Sequence, residues 1–498
     1  MNAASALFYL PGNHLYPPRH LREHAAVPIV MVEDEALCRR RRYHQQKLTL
    51  LLAAMREHAE ALRKAGFTVQ YHDLGAGSDT VETLSRAMEA GGVTELRTFH
   101  VADRSLRLRL QRLCRSRGVA WQEVSNPAFM TSPARMNAFF GGKTRVRMAD
   151  FYKLQRRHFA LLLDADQQPE GGRWSFDAEN RRKVPARQTL PALPPIKHTA
   201  LTAAVAAMVA ERFSDHPGKA QALWLPTTRA GALRWLKEFL HQRFVGFGTY
   251  EDALTTRSQT LFHSTLSPLM NLGLLTPDEV VDRAMQYAGQ AGVPLNDVEG
   301  FIRQLIGWRE FMWGVYEHHG DAMRRANTRG QRRGLTAHWH DGTTGLPPLD
   351  LAIAAQQQLG WAHHINRLMV VANLMNLCEI HPDVVYDYFM CHYIDAYDWV
   401  MVPNVYGMGL NSDGGVFATK PYICGSNYLV KMSDIPRGPW CDVVDGLYWR
   451  FVARHREALR ANPRLAAFTS GLDRMADDKR TRIFSAAEEF LNKFTTAA

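Results

Sequence analysis

Apolar residues recur with two different periods along the first third of the chain. Short β-rich runs, which predict strands, alternate with longer segments in which apolar residues return every three or four positions, as on one face of a helix. The predicted strands are Leu7–Leu10, Ile29–Glu33, Thr68–His72, Leu96–Val101 and Ala120–Val124, and the predicted helices include Leu48–Ala65 and Val81–Ala90. This alternation is typical of a doubly wound parallel sheet with helices on both faces. Ligands of such sheets bind beyond the carboxyl ends of the strands, where Gly12, Asn13 and Glu33 would lie.

The pattern changes twice further along. Residues 136–225 read as a connection, polar and proline-rich from about Asp164, and we interpret most of it as a linker wrapped between domains. After Pro226 helical periodicity dominates, for example in Ala230–Phe244, Thr276–Ala291, Glu299–His318 and Arg367–Cys378. We therefore predict an α/β domain over 1–135, a connector over 136–225 and an all-α domain over 226–498.

Composition narrows the class of protein. The 498 residues contain no long uncharged apolar run, and the first residues lack the basic flank and apolar core of a signal peptide, so we expect a cytoplasmic chain with no membrane association. Six scattered cysteines without a C-x-x-C pair predict reduced thiols. A net charge of +11 favours a polyanionic partner, and we favour nucleic acid over a basic protein with no such role.

Two basic motifs resemble anion-binding sites, but the sequence gives little support for that function. The run from Gly141 to Thr144 resembles the end of a phosphate loop, but that loop needs a glycine at position 137, which is Asn. The run Arg39–Arg42 falls in a predicted helix after the second strand. A solvated helix face explains it better than a nucleic-acid contact, although it could also flank an anionic cofactor.

The pair His363-His364 is more informative. A single histidine is usually a satisfied structural residue, and successive residues of a helix differ by about 100° in direction, so this pair is poorly placed to share a metal. One imidazole can instead face a buried ligand, with its neighbour holding it, and act as a proton donor near neutral pH. The stretch Asp395–Tyr422, rich in Gly, Asn and large apolar residues, suggests backbone wrapped around a ligand.

These motifs together resemble the photolyase/cryptochrome family, in its prokaryotic (6-4) photolyase-like branch. The resemblance rests on HHINRLM, DAYDWV, VPNVYGM, ATKPY and SNYLVKMSD, and extends back through VEGFIRQLIGWREFMWGVY, STLSPLMNLGLL and GGRWSFDAENR. It covers nearly the whole chain in the right order. The implied fold is an α/β antenna domain, a long connector and an all-α domain that binds FAD.

The resemblance also implies which residues hold the flavin. Arg367 and Asp395 would form an ion pair beside the ring, and Arg309 would bind the pyrophosphate. The residues that would line the phosphates are Ser264, Thr265, Leu266 and Ser267, and those that would shape the ring site are Met401, Asn404 and Gly407. Relatives carry a polar side chain where this chain has Met401, so we expect altered flavin redox behaviour.

The implied chemistry is light-driven DNA repair. In the family, excited reduced FAD passes an electron to the lesion, and a (6-4) photoproduct also needs a proton, for which His364 is the matching acid and His363 its neighbour. Tyr422 and Gln304 would contact the lesion, which must be flipped out of the duplex. UV-damaged DNA is thus the expected partner, held through its phosphates by a monomer.

The antenna domain of bacterial relatives holds 6,7-dimethyl-8-ribityllumazine. Five residues of this chain match that site by the resemblance: Gly12, Asn13, Glu33, His44 and Lys47. His14 replaces the glutamine usual in the first loop. The resemblance therefore implies a lumazine antenna.

The chain departs from the branch at two places. The four cysteines that bind a 4Fe–4S cluster are missing, because Gly345–Leu349 has none and the segment after Ser433 offers only Cys441, so we expect no cluster and no metal. The Trp-Tyr pair that relays electrons is Tyr388-Phe389 here, and phenylalanine is much harder to oxidise. Candidate substitutes are Trp339, Trp361 and Trp399.

Three functions remain open at this point. A cluster-free (6-4) photolyase explains His364, Tyr422 and the basic charge. A cryptochrome-like photoreceptor that signals through protein partners would explain the altered electron route and Met401. Repair of cyclobutane dimers is the weakest of the three, because it gives the double histidine no task.

Overall fold

A five-stranded parallel sheet organises the N-terminal part of the computed structural model, which describes residues 5–460 and 466–497. The strands are β1 (Ala6–Tyr9), β2 (Ile29–Val32), β3 (Val69–His72), β4 (Glu95–Phe99) and β5 (Ala120–Val124), in the spatial order β3-β2-β1-β4-β5. The central strands β1 and β2 are apolar and almost wholly buried, since helices cover both faces of the sheet. The predicted α/β architecture is confirmed, with strand ends shifted by one or two residues.

Aspartates begin three of the helices that cross between these strands. Helices α1 (Glu35–Arg39), α2 (Gln45–Lys64), α3 (Thr80–Ala90) and α4 (Arg104–Arg117) complete the α/β unit. Asp34, Asp79 and Asp103 each accept a backbone N–H at the start of α1, α3 and α4.

The arginine run was wrongly placed inside a helix. Helix α1 ends at Arg39, and Arg40–Arg42 lie in a turn. Arg41 lies 2.6 Å from Asp387 of helix α16 in the helical part. This turn therefore contacts the helical part and is not a uniformly solvated helix face.

The connector contains more regular structure than a simple linker. Helices α5 (Pro133–Phe140), α6 (Met148–His158) and α7 (Ala200–Arg212) lie in or overlap residues 136–225, and α7 packs along α2. Between α6 and α7 the backbone folds around the guanidinium of Arg156, which donates to three carbonyl oxygens and is fully buried.

The rest of the chain is helical apart from one short β-pairing. The helices are α8 (Arg229–Gln242), α9 (Ser267–Leu272), α10 (Pro277–Ala291), α11 (Leu295–Ile302), α12 (Glu310–Arg325), α13 (His338–Asp341), α14 (Pro347–Leu359), α15 (Asn373–Leu377), α16 (Pro382–His392), α17 (Asp398–Val402), α18 (Ser426–Met432), α19 (Trp440–Arg454), α20 (Arg456–Arg460), α21 (Ala466–Asp473) and α22 (Asp477–Phe494). Strand β6 (Gly334–Leu335) pairs antiparallel with β7 (Thr495–Thr496). No helix within residues 5–460 and 466–497 is long and apolar enough to cross a membrane.

Three π-helical segments interrupt this all-α part, at Arg303–Arg309, Asn366–Ala372 and Pro403–Gly409. The segment predicted as one helix over Glu299–His318 is thus α11, a π-helix and α12 in succession. The stretch Asp395–Tyr422, predicted as wrapped backbone, is largely helical up to Gly409. π-Helical turns occur mostly at functional sites, and these three carry Gln304, Arg309, Arg367, Asn404 and Gly407.

The α/β and helical parts meet at the loop after β1. Leu15 N–H donates to the carbonyl of Leu272 at the end of α9, over 2.8 Å. The next residue, Gly273, has φ of +87°, and a Cβ there would lie 2.7 Å from the ring of Tyr16. Only glycine meets both demands, so this contact fixes α9 against the first loop of the sheet.

Candidate functional site

A two-fold hydrogen-bonded ion pair lies at the centre of the helical part. Arg367 donates from Nη1 and Nη2 to the two carboxylate oxygens of Asp395, over 2.8 and 3.1 Å. Arg367 Nε donates to the carbonyl of Ala362, and the Ser267 hydroxyl donates to Asp395 Oδ2 over 2.6 Å. The two side chains are only 13% and 8% exposed, so the geometry of the pair is held by burial as well as by hydrogen bonds.

Aromatic side chains with unused polar atoms surround this pair. Tyr393 stacks under the Arg367 guanidinium at 4.1 Å, and the rings of His263 and His363 stack at 4.6 Å. Four buried atoms here have no hydrogen-bond partner among the described residues: Tyr393 Oη, Trp361 Nε1, His263 Nε2 and His363 Nδ1. An unpaired buried polar group costs about 1–3 kcal/mol, so these surroundings fit a polar aromatic ligand such as a flavin.

The two adjacent histidines differ in exposure. His363 is 2% exposed, and burial lowers its pKa well below the ordinary value. His364 is accessible to solvent although protein groups surround it, and we refer to its surroundings, near Arg367 and Arg303, as the recess. Burial, followed by the charges of Arg367 and Arg303, lowers the pKa of His364 to about 4. The imidazole is therefore neutral at pH 7 until an anion approaches it.

The segment from Ser264 to Ser267 is arranged differently from the expectation. Thr265 has φ of +56°, and its hydroxyl donates to the Ser264 carbonyl and accepts from Trp235 Nε1 over 3.0 Å. Ser267 is committed to Asp395, and Leu266 is fully buried. The side-chain hydroxyls of Thr265 and Ser267 are thus engaged by protein, which leaves the Ser264 hydroxyl and backbone N–H groups for a phosphate.

Asn271 joins the ion pair to Arg309, a link that the sequence did not indicate. Its amide nitrogen donates to the Asp395 carbonyl over 2.8 Å, and its amide oxygen accepts from Arg309 Nη1 over 2.5 Å. The Arg309 guanidinium also lies 4.9 Å from the ring of Trp399, and its Nη2 has no partner among the described residues. Burial lowers the pKa of Arg309 to about 10, so it keeps its charge at pH 7 and can bind an anion.

Met401, Asn404 and Gly407, the three residues expected near the flavin ring, each contact different groups of the protein. Met401 is 5% exposed, and the Asn404 amide nitrogen donates to the Val400 carbonyl, which leaves the amide oxygen free to accept. A Cβ on Gly407 would lie 2.5 Å from Phe417 and 2.6 Å from Met323. Gly407 is therefore required by packing between helices, in addition to any contact with a ligand.

The residues expected to meet the lesion share one charged neighbourhood. Gln304 donates to Glu251 over 2.6 Å, and Glu251 lies 3.4 Å from Arg303. Arg303 also lies 3.3 Å from Asp177, and its charge acts on His364. Burial, then the charge of Asp177, raises the pKa of Tyr422, which places this tyrosine beside the same cluster. The charge of Arg303 thus acts on His364, Gln304 shares Glu251 with Arg303, and Tyr422 is linked to them only through Asp177, which pairs with Arg303.

The residues matched to the antenna site are spread along α2. Glu33 is fully buried and accepts from Arg56, Tyr71 and the Leu74 backbone. Gly12 packs against Leu51 and Met55 in the middle of α2, and Asn13 follows it.

His44 caps the start of the same helix and Lys47 lies in its first turn, about 18 Å and about 14 Å from Arg56 along the axis at 1.5 Å per residue. The His44 ring Nε2 contacts the Gln357 carbonyl, and Lys47 Nζ donates to the carbonyls of Met390 and Ala396. Burial lowers the pKa of Lys47 to about 7. The polar groups of Glu33 and Lys47 are therefore hydrogen-bonded to protein groups.

The expected electron-relay positions are buried beside the ion pair. The Tyr388 hydroxyl donates to the Trp339 carbonyl over 2.9 Å, and Phe389 lies 5.2 Å from Tyr393. A second row of aromatic rings leads outward from the ion pair, because Trp361 lies 5.9 Å from Arg367 and 6.2 Å from the half-buried Trp224.

The six cysteines are free thiols, and Cys38, Cys114, Cys378 and Cys424 are buried. Within the described part of the chain, no three His, Cys, Asp or Glu side chains are grouped to hold a metal ion.

Comparison with known proteins agrees with this architecture. Residues 9–224 match the family profile "Deoxyribodipyrimidine photo-lyase-related protein", and residues 301–420 match "FAD binding domain of DNA photolyase". The (6-4) photolyase of Agrobacterium fabrum is 34% identical over 472 residues, which cover 91% of each chain.

Solved structures share the fold. A bacterial class III photolyase from Agrobacterium tumefaciens superposes with a TM-score of 0.58 at 18% identity, over 99% of both chains. A cryptochrome of Synechocystis sp. PCC6803 superposes with a TM-score of 0.55 at 12% identity, over 99% of this chain and 100% of that one. The predicted combination of an α/β domain with an all-α FAD-binding domain is confirmed, and the chain belongs to the photolyase/cryptochrome family.

Proposed function

We propose that this chain is a light-driven enzyme that repairs (6-4) pyrimidine photoproducts in DNA. The observation that carries the proposal is the position of His364, whose imidazole is acted on both by Arg367, the partner of Asp395, and by Arg303, which pairs with the Glu251 that Gln304 contacts. In this proposal His364 is the proton donor, with the flavin beside Arg367 and the lesion beside Arg303. The 34% identity to a (6-4) photolyase supports the same reading.

The residues present fit FAD. Arg367 and Asp395 would hold the ring, with Trp361 and Tyr393 offering unpaired polar atoms, and Arg309 would meet the pyrophosphate with its free Nη2. When bound and reduced, FAD supplies an electron to the lesion under blue light, and the electron returns after repair, so no net oxidation occurs.

The chain's own residues handle the proton and the lesion. His364 would transfer a proton to the lesion and take one back when the two bases are restored, since the repaired bases contain the same atoms as the lesion. DNA phosphates near the recess would raise the pKa of His364 toward neutrality by favouring the charged form. His363, stacked on His263, would hold the backbone that presents His364. Gln304 and Tyr422 would grip the extrahelical bases, while surface Lys and Arg bind phosphates without reading sequence.

The direct test uses reduced, purified protein and two oligonucleotides, one with a (6-4) product and one with a cyclobutane dimer. We expect blue light to restore only the first, as followed by recovery of absorbance at the repaired bases. FAD that is bound and reducible while neither lesion is restored would contradict the enzymatic proposal and favour a cryptochrome-like photoreceptor acting through protein partners. The Tyr388-Phe389 pair and Met401 are the observations that favour that second function.

We further propose that electrons reach the flavin through Trp361 and Trp224. Ring separations near 6 Å suit stepwise transfer, and Trp224 is accessible to reductants. Trp361→Phe should slow photoreduction of bound FAD by about tenfold or more, as measured from the flavin absorbance during continuous blue illumination with a thiol reductant. Trp313→Phe, in a ring that stacks on Phe129 instead, is the control and should leave the rate unchanged. Equal rates in both variants would remove Trp361 from the route.

The chain is also proposed to lack an iron–sulfur cluster and to bind 6,7-dimethyl-8-ribityllumazine in its α/β domain. Iron analysis of anaerobically purified protein should give less than about 0.1 iron per chain, since a cubane cluster needs four ligands. About four irons per chain would contradict this. Mass spectrometry of released chromophores tests the lumazine separately.

A further inference from the structure

Gln304 offers only one kind of hydrogen bond to a ligand. Its amide nitrogen donates to Glu251 Oε1 over 2.6 Å and to the Gly300 carbonyl over 3.1 Å. Both of these atoms are acceptors when Glu251 is ionised, so the amide nitrogen must face them, and both of its N–H groups are used. The amide oxygen receives no donor from the described residues and is left for a ligand.

Glu251 is itself held at both oxygens. Its second oxygen, Oε2, accepts from Asn180 Nδ2 over 3.3 Å and from Arg303 Nη2 over 3.4 Å. The Glu251 side chain is 15% exposed and that of Arg303 is 6% exposed. If the carboxylate turned away from Gln304, Asn180 Nδ2 would lose the acceptor that the structure gives it, and Arg303 would keep only Asp177 and Glu299 as carboxylate neighbours.

The charge state of this carboxylate follows from its surroundings. Burial, opposed by Arg303 and reinforced by Asp252 and Asp177, raises the pKa of Glu251 to about 7. At pH 8 the carboxylate is ionised and accepts from the amide of Gln304. At pH 8, therefore, the ionised Glu251 fixes the orientation of the Gln304 amide.

We infer that Glu251 is a positioning residue that fixes Gln304 as a hydrogen-bond acceptor, so that the site reads a ring N–H of the flipped-out pyrimidine. The inference rests on the proposed function, in which Gln304 faces the lesion. The 5′ base of a (6-4) product keeps its imide N3–H, whereas the 3′ pyrimidone ring has no hydrogen on N3. The 5′ base is therefore the one that Gln304 recognises.

A purely structural role for Glu251 makes a different prediction. If the carboxylate only neutralised Arg303 and anchored Asn180, its loss would weaken folding or flavin retention and affect all DNA ligands equally. A positioning role instead changes the discrimination between two lesions that differ only at the imide nitrogen. The ratio of the affinities for the two lesions separates these possibilities, because general damage to the site would weaken both affinities equally and leave the ratio unchanged.

The experiment measures binding in the dark at pH 8 to two duplexes. One carries a (6-4) product, and the other carries the same product with a methyl group on N3 of the 5′ base. Wild-type protein should bind the methylated lesion at least about tenfold more weakly, a difference of about 1.4 kcal/mol. Glu251→Gln, whose amide can both donate and accept, lets Gln304 turn, and the ratio should fall to about one while FAD content is unchanged.

Two further variants complete the test. Gln304→Met keeps the length of the side chain and removes the acceptor, so it should lose the same discrimination. If Glu251→Gln fails to retain FAD, Glu251→Asp, which withdraws the carboxylate from Gln304 but keeps its charge beside Arg303, tests the positioning role in its place and should lower the ratio. Glu317→Gln makes the same chemical change in a distant ion pair with Arg107 and should keep the wild-type ratio.

Each alternative result has one meaning. Equal wild-type affinity for both lesions, with both preferred over undamaged DNA, overturns the inference and leaves the proposed function standing. Discrimination that survives in Glu251→Gln overturns the positioning role, and discrimination that survives in Gln304→Met shows that the methyl group clashes elsewhere. A wild-type protein that prefers neither lesion over undamaged DNA contradicts lesion recognition itself, and the inference falls with it.

Discussion

His364→Ala is expected to abolish repair of (6-4) products while FAD stays bound. A positioned general acid contributes roughly 10²–10⁴-fold to a rate, so the yield of repaired lesion per absorbed photon should fall by at least about 100-fold. Flavin absorbance and the affinity for the lesion should change little, because the Arg367–Asp395 pair and Gln304 are untouched. Single-flash illumination with reduced protein in excess over lesion measures this yield.

The control for this variant is His318→Ala, the same change at an exposed histidine that stacks on Phe140, away from the recess. The pH profile adds a second check. The pKa of His364 is lowered to about 4 in the protein without DNA, and we expect bound DNA phosphates to raise it toward neutrality, so the protonated fraction in the complex should fall as the pH rises through the neutral range. Wild-type repair should therefore slow between pH 6 and pH 8. Full activity in His364→Ala would remove the histidine from the chemistry.

Asp395→Asn is expected to cost most of the bound flavin. The substitution leaves the Arg367 guanidinium, 13% exposed, without its charge partner, and it also disturbs Ser267. Removing one partner of a buried ion pair costs about 3–5 kcal/mol of stability, and we expect much of this loss to appear as weaker flavin binding because the pair lies at the proposed flavin site. Purified Asp395→Asn should show less than about a tenth of the wild-type flavin absorbance.

Asp387→Asn is the matched control for this effect. Asp387 also pairs with an arginine, Arg41, but its side chain is 55% exposed, and a pair of that kind contributes about 0–1 kcal/mol. This variant should keep its flavin and its urea-unfolding midpoint. Normal flavin content in Asp395→Asn would show that the ion pair is not needed to hold the cofactor.

Periodicity predicted the α/β part well because its elements obey local rules. The strands β1 and β2 are nearly continuous apolar runs, which is typical of a parallel sheet covered on both faces, and the helices between them begin at acidic caps such as Asp34 and Asp79. Periodicity also found the helical part. It joined Glu299–His318 into one helix because the segments on both sides of the π-helical turn are helical, and periodicity does not show the hydrogen-bonding pattern of the turn between them.

The side-chain network of the candidate site was beyond sequence reasoning. Asn271 and Glu251 make their decisive contacts with residues 38 to 124 positions away, so no spacing rule reveals them. Thr265 was expected to present its hydroxyl to a phosphate, but its positive φ turns that hydroxyl toward Trp235. The placement of Glu33 and Lys47 against protein partners likewise depends on how α2 docks, which the sequence does not state.

The three π-helical turns make the chain unusually sensitive to single-residue deletion. Each turn accommodates one residue more than an α-helix of the same length, so deleting one residue there would restore a regular helix without breaking it. The deletion would nevertheless rotate the side chains that follow it by about 100° around the helix axis, relative to the side chains that precede it. At Arg303–Arg309 the helix could stay intact while Gln304 and Arg309 no longer faced their present partners. An insertion or deletion of one residue at these three places would therefore reduce activity more than it reduced the stability of the fold.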